Sequence, residues 1–119
     1  MSSGYEYRVG QELVSVAVDW RDKDNATVDF STGWTFTVYV AAATAPSTAL
    51  VTKTTGITGA ATAPNVTIDW TTTELAALTA GTSGTIYVAH LVARRTADSK
   101  DRWFRPGNPI TFKLWPAVG

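Results

Sequence analysis

The chain contains a single histidine, His90, and this residue is the only candidate for the general base of a serine or cysteine nucleophile. His90 lies between Ala89 and Leu91 in an apolar stretch, and no Gly-x-Ser-x-Gly segment occurs in the sequence. That segment would place a nucleophile on a sharp strand-to-helix turn. We therefore expect His90 to be a hydrogen-bonded or interface histidine, and we predict no catalytic residues.

Two carboxylates, Asp69 and Glu74, form the best available pair for glycoside hydrolysis, which requires two acids of unlike environment facing one cleft. Asp69 lies between Ile68 and Trp70 in a predicted strand, and the alternation places it on the polar face, opposite those two residues. Glu74 ends the run Thr71-Thr72-Thr73-Glu74, which has the form of a capping box at a helix start. Both acids thus have structural interpretations, and we predict that the protein is not an enzyme and binds no cofactor.

Metal binding has one weak candidate, the polar turn that contains Asp22, Asp24 and Asn25, with Asp19 nearby. Calcium takes oxygen ligands of this kind, but the turn lacks the glycine and the distal glutamate of an EF-hand loop. A plain hairpin turn is the favoured interpretation, with calcium as the alternative. The chain has no cysteine, which excludes disulfides and thiolate metal sites, and we predict no metal site.

Arginine and tryptophan side chains near the C-terminal end form the strongest candidate for a partner-binding surface. The cluster 102–105 has the composition that is enriched at protein interfaces, although an edge strand that covers the core is an equal alternative for Trp103. Residues 94–105 carry five bases and two acids, whereas residues 1–30 carry three bases and six acids, so neighbouring subunits could attract each other and association should weaken with salt. Asp98 and Asp101 interrupt the basic stretch, and we predict no nucleic-acid partner. The predicted partner-binding residues are Arg94, Arg95, Arg102, Trp103, Arg105 and Trp115.

These side chains must be positioned by strands, because apolar residues alternate along most of the sequence. With 119 residues, the chain has the length of a single domain, residues 1–119. The strands are predicted at 12–20, 26–30, 34–40, 49–55, 66–70, 85–95, 101–105 and 110–115. A surface loop is expected over 56–64, one helical turn over 75–78, and a central position for 85–95, which is apolar on both faces. This pattern predicts an all-β, immunoglobulin-like sandwich of two sheets, with about seven or eight strands and one short helical turn.

The predicted core follows from the same alternation. Trp20, Trp34 and Trp70 share strand faces with aliphatic residues, which assigns these three rings to the interior. The residues expected to be buried together are Val14, Val16, Val18, Trp34, Phe36, Val38, Ile68 and Trp70.

Two segments of the chain resemble a known family. Val28-Asp29-Phe30-Ser31-Thr32-Gly33-Trp34-Thr35-Phe36-Thr37-Val38 resembles the opening of the immunoglobulin-like N-terminal domain of tailed-phage baseplate upper proteins and of related small virion proteins. The segment from Ile68-Asp69-Trp70 through Leu75, Leu78 and Gly81 to Tyr87 is similar to the same family's acidic helical turn, glycine and tyrosine-bearing strand. Thr82-Ser83-Gly84 lengthens that last connection, which argues against a tyrosine corner at Tyr87.

The resemblance implies a non-enzymatic structural subunit of a tailed-bacteriophage virion, which is made in the host cytoplasm and decorates the capsid or attaches to the tail or baseplate. Its implied partners are the major capsid or tail protein and further copies of itself. The residues leave an alternative, a carbohydrate-binding sandwich in which Trp103 and Trp115 meet a host-surface glycan. A virion subunit would bury one of these rings against protein, whereas a glycan binder would leave two or more rings coplanar and exposed. No apolar run approaches the length of about 20 residues that spans a membrane, so no membrane partner is expected.

Overall fold

A computed structural model describes residues 5–8, 15–104 and 110–116, and these residues form nine strands and one short helix. The strands are β1 (Tyr5–Arg8), β2 (Val16–Val18), β3 (Trp34–Ala42), β4 (Ala49–Lys53), β5 (Ile57–Gly59), β6 (Val66–Ile68), β7 (Thr85–Arg95), β8 (Asp101–Trp103) and β9 (Ile110–Trp115). The helix, α1 (Thr72–Ala76), lies between β6 and β7. The chain is therefore mostly β, as the alternation of apolar residues predicted.

The strands form two sheets. The larger sheet has the order β1-β9-β7-β3-β4, with β8 also paired to β7, and the smaller sheet has the order β2-β6-β5. β1 runs parallel to β9, and the other paired strands are antiparallel. This arrangement confirms the predicted immunoglobulin-like sandwich of two sheets, and β7 occupies the expected central position.

The core lies between the two sheets because each long strand turns alternate apolar residues inward. Val38 of β3, Leu91 of β7 and Ile68 of β6 are fully buried there. Leu75 and Leu78, in and just after α1, close one end of the same core. Of the predicted core residues, Val16, Val18, Val38, Ile68 and Trp70 are buried, as is Trp20.

Trp34 and Phe36 correct one part of the core prediction, because both side chains are only partly buried. The pairing of β3 with β4 begins at Val38, so no described strand pairs with the first half of β3 on that side. The inward direction of Trp34 and Phe36 on β3 agrees with the prediction, but the partner strand β4 ends at Lys53 and is too short to cover them. The predicted core residue Val14 lies outside the described residues.

Three strand assignments also differ from prediction. Residues 26–30 form no strand and make only a single bridge between Arg21 and Thr27. The Val28 N–H donates to the Trp20 carbonyl at 3.2 Å, and the Phe30 N–H donates to the Ala60 carbonyl at 3.0 Å. The buried Asn65 side chain adds three bonds, accepting the N–H of Trp20 at 2.7 Å and donating to the carbonyls of Trp20 and Val28. β1 was not predicted, and β5 lies within the predicted loop 56–64.

The capping box at α1 is present as predicted. The Glu74 N–H donates to Thr71 Oγ1 at 3.1 Å, and the Thr71 N–H donates to Glu74 Oε1 at 2.8 Å. Farther along, the Tyr87 hydroxyl donates to the carbonyl of Thr79, eight residues upstream. Tyr87 therefore still bonds to the upstream backbone, although the longer connection argued against such a contact.

Candidate functional site

An aromatic cluster lies on the outer face of the larger sheet, where the alternation of three strands brings it together. Tyr39 of β3 pairs in register with His90 of β7, and Val92 of β7 pairs with Trp103 of β8. Because the neighbours of Tyr39 and His90 along each strand point into the core, these rings point away from it. The rings of Tyr39 and Trp103 are 5.9 Å apart at an interplanar angle of 21°, and the His90 ring is 6.4 Å from Trp103.

The cluster borders a groove of about 500 Å³, which we call the aromatic groove. Its lining residues are Tyr39, Ala41, Pro46, Ser47, Ala49, His90 and Trp103. Trp103 is 48% exposed, and Ile86, another outward residue of β7, is 49% exposed. The groove therefore offers one large aromatic ring and mostly apolar walls to an incoming molecule.

The polar side chains of the groove are His90 and Ser47. His90 Nε2 lies 2.8 Å from the carbonyl oxygen of Pro46, which fixes the imidazole against the loop between β3 and β4. Ser47 lines the same groove, but no hydrogen bond joins its hydroxyl to His90. Within the described part of the chain, His90 thus connects β7 to this loop through a hydrogen bond.

The two candidate carboxylates occupy separate structural roles. Asp69 accepts a hydrogen bond from the Ser15 hydroxyl. Glu74 pairs with the buried ammonium of Lys53, with both carboxylate oxygens 2.8 Å from Nζ. Each acid is thereby engaged within the fold.

The alternation of strand residues divides the predicted basic surface between two faces. Arg94 lies on the outer face with Trp103 and forms a two-point pair with Asp101, at 2.7 and 3.2 Å. The Arg94 guanidinium lowers the pKa of the Asp101 carboxyl below its ordinary value, and the carboxylate raises the pKa of Arg94. Arg95 and Arg102 instead lie over the Trp34 ring, at 5.2 and 5.5 Å from its centroid.

The remaining predicted residues are not part of the aromatic groove. Trp115 also points to the outer face. The register of β9 places Trp115 opposite residue 84, whereas Trp103 lies opposite Val92 of β7. Eight residues of extended chain separate these two positions, so the two tryptophans lie about 26 Å apart along the sheet. The Trp115 indole N–H donates to Glu6 at 2.8 Å, and Lys113 Nζ lies 4.2 Å from its ring centroid. Arg105 lies outside the described residues.

The acidic turn and the basic strand meet within one molecule. Asp22 and Asp24 line a depression of about 490 Å³ together with Arg102 and Trp103. Asp22 Oδ1 already accepts the backbone N–H groups of Asp24 and Ala26, which accounts for its place in the turn. In the described residues, no three His, Cys, Asp or Glu side chains lie close enough to hold an ion.

The groove residues that were not predicted from the sequence are Tyr39, Ala41, Pro46, Ser47 and Ala49. One signal was available for Tyr39, an isolated aromatic residue on the face of β3 that otherwise carries threonines. Pro46 and Ser47 lie in a loop with no regular pattern, so their contact with β7 follows only from the paired strands.

No family model, curated protein or solved structure matches the chain. Within the described residues, none of the helical structure is long and apolar enough to cross a membrane.

Proposed function

We propose that the chain is a non-catalytic structural subunit of a tailed-bacteriophage virion, which attaches to a capsid or tail protein through the outer face of its larger sheet. The observation that carries this proposal is the aromatic groove, in which a half-exposed Trp103 stands beside Tyr39 on an otherwise regular sheet. The virion assignment itself depends on the resemblance of the two segments described above.

Trp103 and Tyr39 have the properties of side chains that anchor a protein interface. Tryptophan and tyrosine dominate the binding energy of protein interfaces, where a few aromatic side chains fill pockets near the centre. The Arg94–Asp101 pair lies next to Trp103 and would form part of a polar rim. Its charges are already paired, so a partner would not have to supply a counter-charge.

Association with particles tests this proposal. Virions are purified on a density gradient from cells that produce the chain, and bound chain is measured by peptide mass spectrometry. Trp103→Ala should weaken binding by about 2 kcal/mol, as expected for an interface anchor. Leu50→Ala is the matched control, since Leu50 is 54% exposed on the edge strand β4. Absence of the wild-type chain from purified particles, or equal binding by Trp103→Ala, would contradict the proposal.

Carbohydrate binding is the second candidate, and the half-exposed ring of Trp103 favours it. The Trp103 ring, with Tyr39 stacked beside it, offers a stacking surface to a sugar, and the Ser47 hydroxyl lines the same groove. A glycan array with the purified chain tests this function, with Tyr39→Phe and Tyr39→Ala as paired variants. Retained binding by Tyr39→Phe and lost binding by Tyr39→Ala would support it, whereas no binding by the wild-type chain would exclude it.

A further inference from the structure

The first half of β3 has an open edge. The Thr96 N–H donates to the Gly33 carbonyl at 3.0 Å, and the Ala43 N–H donates to the Ile86 carbonyl at 3.1 Å. Because backbone groups alternate in direction along a strand, odd-numbered residues of β3 turn their N–H and C=O groups toward β7. Even-numbered residues turn theirs toward β4.

β4 covers only part of that second edge. It pairs with Val38 and Val40, and its pairing does not extend to Trp34 or Phe36. The N–H and C=O groups of Trp34 and Phe36 therefore face outward, and no strand within the described residues pairs with them there. Four backbone groups in a row form a template for another strand.

A slot opens beside this edge, between the two sheets. It has a volume of about 580 Å³, and its lining combines the apolar side chains of Phe30, Trp34, Phe36 and Ile57 with serine and threonine hydroxyls. Gly59 lies deep in this region, where an added Cβ would be 3.0 Å from the Phe36 ring and 2.2 Å from the Phe30 carbonyl oxygen. The lack of a side chain at Gly59 thus lets β5 lie directly against the Phe30 backbone and the Phe36 ring. The partial burial of Trp34 and Phe36 is a consequence of this opening.

Positive charge marks one end of the slot. Arg95 and Arg102 both lie over the Trp34 ring, at the start of the open edge. Arg95 has a carboxylate of Asp98 at 3.6 Å. Arg102 has no carboxylate within 4.0 Å among the described residues, although Asp22 and Asp24 line the depression on which it borders.

We propose that the open edge of β3 binds an extended peptide segment of a partner protein, which adds to the larger sheet as a strand antiparallel to Trp34–Thr37. Four residues in extended conformation span about 13 Å, the length of the open edge. Alternate apolar side chains of the segment enter the slot, and a carboxylate near its C-terminal end meets Arg102. Strand addition of this kind derives affinity from backbone bonds and specificity from pockets for alternate side chains. This site is separate from the aromatic groove and does not depend on the virion assignment.

Hydrogen exchange measured by NMR tests the backbone part of the proposal. The probe is a synthetic peptide, Thr-Val-Thr-Val-Thr-Val-Asp with blocked ends, added to the full chain. The amides of Trp34 and Phe36 should exchange rapidly in the free protein and slow about tenfold when nine-tenths of the sites are occupied. The amides of Thr35 and Thr37, which already face β7, are the internal control and should change little. Unchanged exchange at Trp34 and Phe36 with millimolar peptide would overturn the proposal.

Two matched changes test the charge. Replacing the peptide's aspartate with asparagine, and Arg102→Gln in the protein, should each weaken binding about threefold, as expected for one exposed ion pair. Combining the two changes should cost no more than either alone. Equal affinity of both peptides for the wild-type chain would overturn the assignment of Arg102.

A second copy of the chain is the competing occupant of this edge. If the Trp34 and Phe36 amides become protected as protein concentration rises without peptide, the edge pairs with another copy, and the proposal of a separate peptide partner fails. Concentration-independent exchange of the free chain, together with protection by the peptide, supports the proposal.

Discussion

Lys53 is the most unusual residue of the core. It is 2% exposed, its ammonium contacts both carboxylate oxygens of Glu74, and it lies 5.7 Å from the centroid of the Trp70 ring. A buried ion pair adds little net stability over an apolar pair, but loss of one partner leaves a charge without compensation. The pair also connects β4 to the capping box of α1, because Glu74 serves in both.

Glu74→Gln should therefore be strongly destabilising. We expect the free energy of unfolding to fall by about 3 kcal/mol, since the variant leaves the buried ammonium of Lys53 without a counter-charge. Urea unfolding followed by tryptophan fluorescence measures this change.

Lys53→Met separates the effect of the charge from that of packing, because it removes the ammonium and fills a similar volume. It should cost less than Glu74→Gln, and Lys23→Met, at an exposed turn position, should be nearly neutral. A Glu74→Gln protein as stable as the wild type would show that the pair is solvated in solution.

Tyr7 gives the fold a dependence on high pH. Burial raises the pKa of Tyr7 from 10.0 to about 12, against a smaller opposite effect of the Trp70 side chain. A pKa raised by folding stabilises the native state fully below pH 10, and this contribution is lost as the pH rises toward 12.

The free energy of unfolding of the wild type should consequently fall relative to that of Tyr7→Phe between pH 10 and pH 12. We expect the change to be about 2 kcal/mol, measured by urea unfolding at a series of pH values. A difference that stays constant across this range would mean that the Tyr7 hydroxyl is not protected from solvent.

At the scale of the strands, position in the sheet decides how much a residue contributes. β7 pairs along its length with β3 on one side and with β8 and β9 on the other, whereas β4 is an edge strand. Leu91 of β7 is fully buried, and Leu50 of β4 is 54% exposed. These two leucines compare the centre of the sheet with its edge by the same chemical change.

Leu91→Ala should lower the free energy of unfolding by about 2–5 kcal/mol, the range for a fully buried leucine. Leu50→Ala should change it by less than about 0.5 kcal/mol. Both values come from denaturant unfolding monitored by circular dichroism. Similar losses in the two variants would contradict the assigned order of the sheet.

Alternation of side chains was sufficient to predict β3, β7 and β9, because their apolar residues repeat every second position over six residues or more. The same rule failed for 26–30, where isolated backbone bonds from Val28 to Trp20 and from Phe30 to Ala60, together with the Asn65 side chain, hold the segment without a continuous ladder. β5 has three residues, too few to establish a period. The burial of Lys53 was not foreseen either, because its counter-charge lies 21 residues away and reaches it only through the fold.

Of the residues that line the aromatic groove, only Trp103 is among the predicted partner-binding residues. Trp103 and Arg94 do lie together on the outer face, as the interface hypothesis required. Arg95 and Arg102 point to the other face, because consecutive strand residues alternate in direction. Tyr39 joins Trp103 from a strand more than sixty residues earlier in the chain, a contact that no local pattern contains.

On the scale of the whole molecule, charge is more evenly distributed than the sequence indicates. The acidic turn 22–24 borders Arg102, and Asp101 neutralises Arg94 beside the aromatic groove. The opposite charges of the two chain regions are thus partly balanced within one subunit.

Attachment through the aromatic groove should therefore depend weakly on ionic strength. We expect the dissociation constant for particles to change by less than about threefold between about 0.05 M and about 0.5 M salt. Sedimentation of particles with bound chain at several salt concentrations measures it. A steep loss of binding with salt would restore the earlier expectation that oppositely charged regions of neighbouring subunits attract each other.

The buried amide of Asn65 has a consequence for the choice of expression host. Asn65-Val66-Thr67 and Asn25-Ala26-Thr27 both have the form of an N-glycosylation acceptor. Asn25 is exposed, whereas the Asn65 amide is fully buried and holds Trp20 and Val28 through three hydrogen bonds. An oligosaccharide attached to Asn65 during synthesis in a eukaryotic secretory pathway would block closure of the sandwich. Chain displayed on yeast or secreted from mammalian cells would then divide into a folded fraction modified at Asn25 alone and a misfolded fraction modified at Asn65.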